Sequence, residues 1–287
     1  GAAASAEEER RFAAARGAHG AAAGADAADA AQLLTLRVVC LSLAHVYYYR
    51  LPSASDRDAL ARALAATAAA APQPSGAPPC ALTLESFVGA LEAEQDLYLD
   101  RMSLEPGIAR NDALRENVFV VVTCVFNRMP VFVVGKPGTS KTLTLQIVAS
   151  NLLGRRSADA LWQAHPAVYI FPYQCSPLST SGAIETQFAK ACAYQAQQPP
   201  GEVVTVLLLD EVGLAEHSPD MPLKVLHAML VKPPIAIVGL SNWTLDSAKM
   251  NRAICIQRAP TRSCMYRGTW RAAEARSAWP CGSDEKR

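Results

Sequence analysis

The chain has 287 residues, 51% hydrophobic and 18% charged, which suits one core-bearing α/β domain with appended segments. A net charge of +1 gives no general pull toward nucleic acid or an anionic membrane, and no nucleic-acid partner is expected. Eight cysteines without a Cys-x-x-Cys pair fit neither a zinc ribbon nor a short secreted disulfide framework, and a reducing, cytoplasmic compartment is expected.

Residues 1–31 are alanine-rich and low in complexity, and the Glu7-Glu8-Glu9-Arg10-Arg11 cluster is not followed by an apolar run, so no signal peptide is read. The first residue is Gly1 rather than methionine, which suggests a fragment of something longer. Residues 32–110 read as a helical region. Its first helix, over 32–50, is expected to turn Leu33, Leu34, Leu36, Val39, Cys40, Leu43 and Val46 inward. The apolar stretch from Leu33 to Tyr49 is broken by Arg37 and His45, so it is expected to be a buried helix and no transmembrane segment is expected. His45 and Tyr47-Tyr48-Tyr49 read as packing residues. A second helix over 55–70 leads into a Pro-rich loop at 71–79. A third begins after Thr83, a plausible N-cap, with Leu84, Phe87, Val88, Leu91 and Tyr98 on its apolar face. Pro106-Gly107 ends that segment, and 111–127 reads as one more helix.

From Val131 the pattern changes to strand–helix alternation, with strands at 131–134, 167–172, 203–209, 235–240 and 253–257 and helices at 141–153, 180–197 and 220–230. Short, wholly apolar strands separated by helices predict a parallel five-stranded sheet flanked by helices, with ligands at the strands' carboxyl ends. Residues 111–258 are thus expected to form a nucleotide-binding core and 259–287 an irregular tail.

The chemistry is expected at three strand ends. After 131–134 comes a loop of Gly135, Lys136, Pro137, Gly138, Thr139, Ser140, Lys141 and Thr142. Its spacing is that of a P-loop, whose backbone N–H groups wrap a β-phosphate. Lys141 would reach the β- and γ-phosphates of ATP, and Thr142 would ligate Mg²⁺. Ser140 stands where such loops carry a second glycine, so by itself the loop also reads as a plain Gly/Pro turn. The strand at 203–209 runs into Asp210-Glu211, and two carboxylates at a buried strand's exit call for a cation. Asp210 would hold Mg²⁺ and Glu211 would orient the attacking water, against the blander alternative of an N-cap and a surface acid. These acids and Lys141 are expected to meet across adjacent strands. Ser241-Asn242 ends the next strand, and its side-chain amide would sit between the two motifs, where Asn242 could sense a γ-phosphate or make an ordinary turn. Arg252, by its resemblance to the arginine of ring-forming AAA+ ATPases, would stabilise a neighbouring module's γ-phosphate, or be a salt-bridged surface residue.

Together with Gln174-Cys-Ser-Pro177, Ser179-Thr180, Leu209 to Glu216, Leu245-Asp246 and Ala248 to Asn251, these motifs resemble an AAA+ unit of the mysterin family. That family comprises giant ring-finger E3 ubiquitin ligases with a dynein-like row of AAA+ modules. The likeness runs from about residue 33 to 258 and includes Leu41 to His45, Leu97-Tyr98, and Asn111 to Phe119 with Arg115-Glu116-Asn117. It implies the P-loop AAA+ fold, ATP hydrolysis with Mg²⁺, and Glu211, Asn242 and Arg252 as catalytic residues. It also implies partners: neighbouring AAA+ modules in one parent chain or a ring oligomer, and ubiquitylation substrates. Leu230 to Pro234 is shorter than the family's connection, and 259–287 lacks the helical lid. A non-hydrolysing ATP-binding module that stabilises the ring is therefore the alternative.

Overall fold

The computed structural model describes residues 25–70 and 82–258. Most of the alanine-rich segment, the Pro-rich loop and the whole 259–287 tail lie outside the described residues.

Helix α1 (Ala25–Leu43) runs into a π-helical turn, Ala44–Tyr48, closed by the Tyr49 N–H on the Ala44 carbonyl at 3.0 Å. Cys40, Ala44, His45 and Tyr49 are buried, and the wider turn changes the helix phase between Ala44 and Tyr49. Leu33, Leu34, Val39 and Val46, expected to face inward, are exposed instead. Helices α2 (Ala54–Ala70) and α3 (Leu84–Asp100) follow. Thr83 caps α3 as expected, and a capping box forms: Thr83 Oγ1 accepts from the Ser86 N–H and Ser86 Oγ from the Thr83 N–H. Asn111 caps α4 (Asp112–Phe126) through the Leu114 N–H. The middle of α4, Glu116 to Val122, is buried without interruption, so this helix lies in the interior.

The remaining elements are β1 (Val131–Val134), α5 (Lys141–Asn151), α6 (Ala160–Gln163), β2 (Ala167–Gln174), α7 (Ser181–Gln197), β3 (Val203–Asp210), α8 (Val212–Glu216), α9 (Leu226–Met229), β4 (Ala236–Ser241), α10 (Ser247–Met250) and β5 (Ile254–Gln257). The five strands pair in parallel in the order β2-β3-β4-β1-β5. Side-chain alternation divides them between two cores. Val131, Val133, Val204, Val206, Ala236, Val238 and Ile256 pack with α4 and α5 on one face. Phe132, Val134, Leu207, Leu209, Ile237 and Cys255 pack with Ile184 and Ala191 of α7 on the other. Burial on both faces explains the unbroken apolar runs in the sequence.

Two expectations change. Residues 220–230 do not form one helix: Met221 is left-handed (φ 44°), Pro222–Val225 is a 3₁₀ turn, and α9 is a single turn. A left-handed residue beside a proline gives no unbroken start to an α-helix. Strands β1 and β3 are not adjacent either, because β4 lies between them and pairs with both. Gly239 fits this central position: a Cβ there would lie 2.3 Å from Cδ1 of Phe132 on β1.

A candidate nucleotide site at the carboxyl ends of the strands

Every parallel strand points its carboxyl end the same way, so the loops after β1, β3 and β4 gather at one edge of the sheet. They enclose a cleft of about 350 Å³ lined by Pro137, Gly138, Ser140, Lys141, Thr142, Leu143, Asp210, Glu211, Leu240 and Asn242. The ammonium, both acids and the amide therefore meet as expected, with Asn242 on the intervening strand's exit. Gly135, Lys136 and Thr139 form the loop behind this wall.

Two cleft residues have left-handed backbones without being glycine: Ser140 (φ 59°) and Glu211 (φ 50°). Each such residue stores about 1 kcal/mol or more and persists only where its surroundings over-determine it. Ser140 occupies the backbone conformation that explains a glycine preference at this position, so the substitution is accommodated at the cost of strain. Gly138, at φ 84°, supplies the other sharp bend. Thr144 Oγ1 donates to the Ser140 carbonyl at 2.7 Å, and Thr139 Oγ1 donates to the Lys136 carbonyl at 2.8 Å.

Lys141 begins α5 and is 9% exposed. Its Nζ donates to the carbonyls of Gly135 and Lys136, the latter at 3.0 Å. Burial lowers its pKa from the usual lysine value, while the Asp210 and Glu211 carboxylates oppose that shift. The ammonium is thus desolvated and faces two acids, an arrangement that accepts a polyanion accompanied by a cation. Asp210 Oδ1 accepts from the Glu211 N–H at 2.9 Å, and Glu211 Oε2 accepts from the Gln174 amide at 3.0 Å. Gln174, at the end of β2 opposite Asp210 in the ladder, orients the Glu211 carboxylate. Cys175 beside it is a buried free thiol whose pKa burial raises to about 12, with the Asp210 charge adding to the shift.

Ser241 turns the chain after β4: its Oγ donates to the Trp243 carbonyl at 2.5 Å and accepts the Trp243 N–H at 3.3 Å. A Cβ on Gly213 would fall 2.7 Å from that Oγ and 2.8 Å from the Trp243 ring. Arg252 stands apart from the cleft, exposed, with Nη1 on the Ala248 carbonyl at 2.6 Å. It does not join the other site residues within this chain.

One set of residues behind the loop carried no role in the sequence reading. Asn117 is fully buried on α4, and its Nδ2 donates to the Thr139 carbonyl at 3.1 Å. Arg258, just past β5, donates to Asn117 Oδ1 at 3.1 and 2.9 Å, to the Ala113 carbonyl at 3.1 Å, and to Glu116. Their signal in the sequence is the polar pair Glu116-Asn117 at the head of the apolar run Val118 to Val122. Among the described residues no group of three or more His, Cys, Asp or Glu is gathered as a metal site would need, and no helix is long and apolar enough to cross a membrane.

A sheet in this order, with a phosphate-type loop after β1, an acid pair after β3 and a polar residue after the intervening β4, defines a P-loop AAA+ domain. The chain belongs to the RNF213 AAA domain family, whose model matches residues 107–263. It is 43% identical over 174 residues to the E3 ubiquitin-protein ligase RNF213 of Homo sapiens, a match that covers 57% of this chain and 3% of the relative. To E3 ubiquitin-protein ligase rnf213-beta of Danio rerio it is 39% identical over 185 residues, covering 61% of the chain and 4% of the relative. The chain thus spans only a few per cent of the length of these relatives. Among solved structures it is similar to a RuvB variant of Thermotoga maritima, at 18% identity and a TM-score of 0.36, covering 56% of this chain and 49% of that one.

Proposed function

We infer that this chain is a Mg-ATP-binding AAA+ ATPase module, and that its parent is a cytoplasmic ubiquitin-protein ligase of the RNF213 kind. The observation that carries the reading is the single cleft in which Lys141, Thr142, Asp210, Glu211 and Asn242 converge. Gly135, Lys136, Pro137, Gly138, Thr139 and Ser140 would form the cradle whose N–H groups bind the phosphates. Lys141 would exchange its bonds to the loop carbonyls for bonds to the β- and γ-phosphates, where a desolvated ammonium is strongest. Thr142 and Asp210 are hard oxygen donors lining one cleft and fit Mg²⁺, which supplies charge neutralisation on the phosphate oxygens when bound. Glu211 would orient the attacking water and take its proton, leaving its bond with Gln174 to do so. Asn242 would donate to the γ-phosphate or hold that water. Arg252, turned away from this chain's own cleft, would serve the γ-phosphate of a neighbouring module, in the same parent chain or in a ring.

Glu211→Gln should retain Mg-ATP binding and abolish phosphate release; unchanged hydrolysis by that variant would sink the assignment. The engagement of Glu211 by Gln174 also favours a second reading, a module that binds ATP without hydrolysing it and stabilises its ring. Sustained turnover by the unaltered chain, lost with Lys141→Ala, would exclude that alternative.

A further inference from the structure

The phosphate loop has a problem that its own residues do not solve. Ser140 must hold a left-handed backbone, and a non-glycine residue relaxes toward the right-handed region unless neighbouring groups prevent it. The peptide joining Thr139 to Ser140 is planar and trans, so its carbonyl and its N–H point in opposite directions. Whatever holds the Thr139 carbonyl in the interior also aims the Ser140 N–H outward.

That carbonyl is held by Asn117 Nδ2, from a side chain with no solvent exposure on an interior helix. The opposite end of the same amide, Oδ1, accepts two bonds from Arg258, which fixes both its position and its flip state. Arg258 is fixed in turn. Its N–H joins the Val134 carbonyl at 2.9 Å, and its guanidinium pairs with Glu116 and donates to the Ala113 carbonyl. Its Cβ lies 2.8 Å from where a Cβ on Gly135 would sit, so the start of the loop is pressed against it as well. Glu116 also accepts from Arg57 of α2 at 2.8 Å, and Arg57 reaches the Leu51 carbonyl at 2.7 Å. Burial, followed by the nearby Arg57 charge, lowers the Arg258 pKa to about 9, which still leaves it charged at neutral pH.

We propose that Asn117 and Arg258 are positioning residues for the nucleotide, clamping the Thr139–Ser140 peptide in its phosphate-binding orientation and linking it, through Glu116 and Arg57, to the N-terminal helices. This rests on the nucleotide site proposed above. The clamp offsets the strain that the variant loop takes on by carrying serine in place of glycine. A fully buried amide with both ends committed, one to the loop and one to a buried guanidinium, is more than core packing requires. An apolar residue would fill the same space without a polar atom to satisfy.

The test uses the 287-residue chain and two variants. Asn117→Asp removes the donor to Thr139 while keeping an acceptor for Arg258; Arg258→Lys keeps the charge but loses the fork that grips Asn117. Three quantities are measured: the Kd of a fluorescent ADP analogue, the melting temperature without nucleotide, and amide hydrogen exchange in 135–145. The expected result for Asn117→Asp is a Kd at least tenfold weaker and faster exchange at 140–142, with exchange in β1 unchanged. Arg258→Lys should move the same two readouts in the same direction. Unchanged affinity and exchange in a folded Asn117→Asp chain would overturn the clamp, as would loss of folding in both variants. If the unaltered chain fails to bind the analogue, the nucleotide reading fails and the positioning role falls with it. In that event faster exchange at 140–142 would still identify a mechanical link without a nucleotide to serve.

Discussion

Lys141→Met separates the charge at the centre of the cleft from the volume it fills. The ammonium is 9% exposed, its pKa is lowered by burial, and its partners among the described residues are the carbonyls of Gly135 and Lys136. Without nucleotide the variant therefore sheds a desolvated charge, and its melting temperature should be unchanged or higher. With nucleotide the balance reverses. Removing one partner of a desolvated charge pair costs about 3 kcal/mol, which raises Kd by about 150-fold. Mg-ADP at about 100 times the unaltered chain's Kd stabilises it by about 2.7 kcal/mol. For a domain of this size that is a shift of about 5 to 11 °C. In the variant the same concentration falls below Kd, so stabilisation drops to about 0.3 kcal/mol, or about 1 °C. Thermal unfolding followed by fluorescence, with and without Mg-ADP, reads both halves of this expectation. A variant that keeps the full ligand-induced shift would refute the argument, because the phosphates would then be held by something other than Lys141.

Further perturbations bear on the scaffold. Gly239→Ala drives a methyl group into the Phe132 ring at 2.3 Å and should destabilise by about 1–3 kcal/mol, lowering the urea midpoint without changing the slope. Glu116→Gln leaves Arg57 and Arg258 facing each other without their shared carboxylate, which is only 8% exposed. Its expected cost is about 3–5 kcal/mol by equilibrium unfolding, against little effect if solvent reaches the pair. His45 is packed against Tyr49 and Phe119, and burial lowers its pKa below 6.5 despite its bond to the Leu41 carbonyl. The unfolded chain then binds this proton first, so stability should fall as pH drops below 6.5 and level off beneath the folded pKa. The slope is limited to about 1.4 kcal/mol per pH unit, and His45→Phe should remove this contribution. Arg252→Ala should leave melting and ADP binding of the isolated chain unchanged, since Arg252 is exposed and lies away from the cleft.

What could be read from the sequence follows from how far each signal reaches along the chain. Val131 to Val134 and Val203 to Leu209 declare themselves because a strand buried on both faces must be apolar throughout. Lys141 is legible from the spacing of its loop, and Asp210-Glu211 because charge at the exit of such a strand demands a partner. The order of the strands is not local. Nothing in β1 or β3 records that β4 comes between them, which is why the two motifs were expected on adjacent strands. The face of α1 failed for a smaller reason: Leu33, Leu34 and Val39 are apolar yet exposed, and the π-turn at Ala44–Tyr48 shifts the 3.6-residue phase only from Val46 onward. The clamp behind the loop combines both obstacles. Asn117 and Arg258 are 141 positions apart, each is an ordinary residue in its own segment, and their chemistry exists only once β5 docks beside β1 and brings Arg258 over α4. A catalytic cleft displays its residues at strand ends, where topology forces them together. The parts that hold it rigid come from wherever the interior has room, and a linear pattern carries little trace of them.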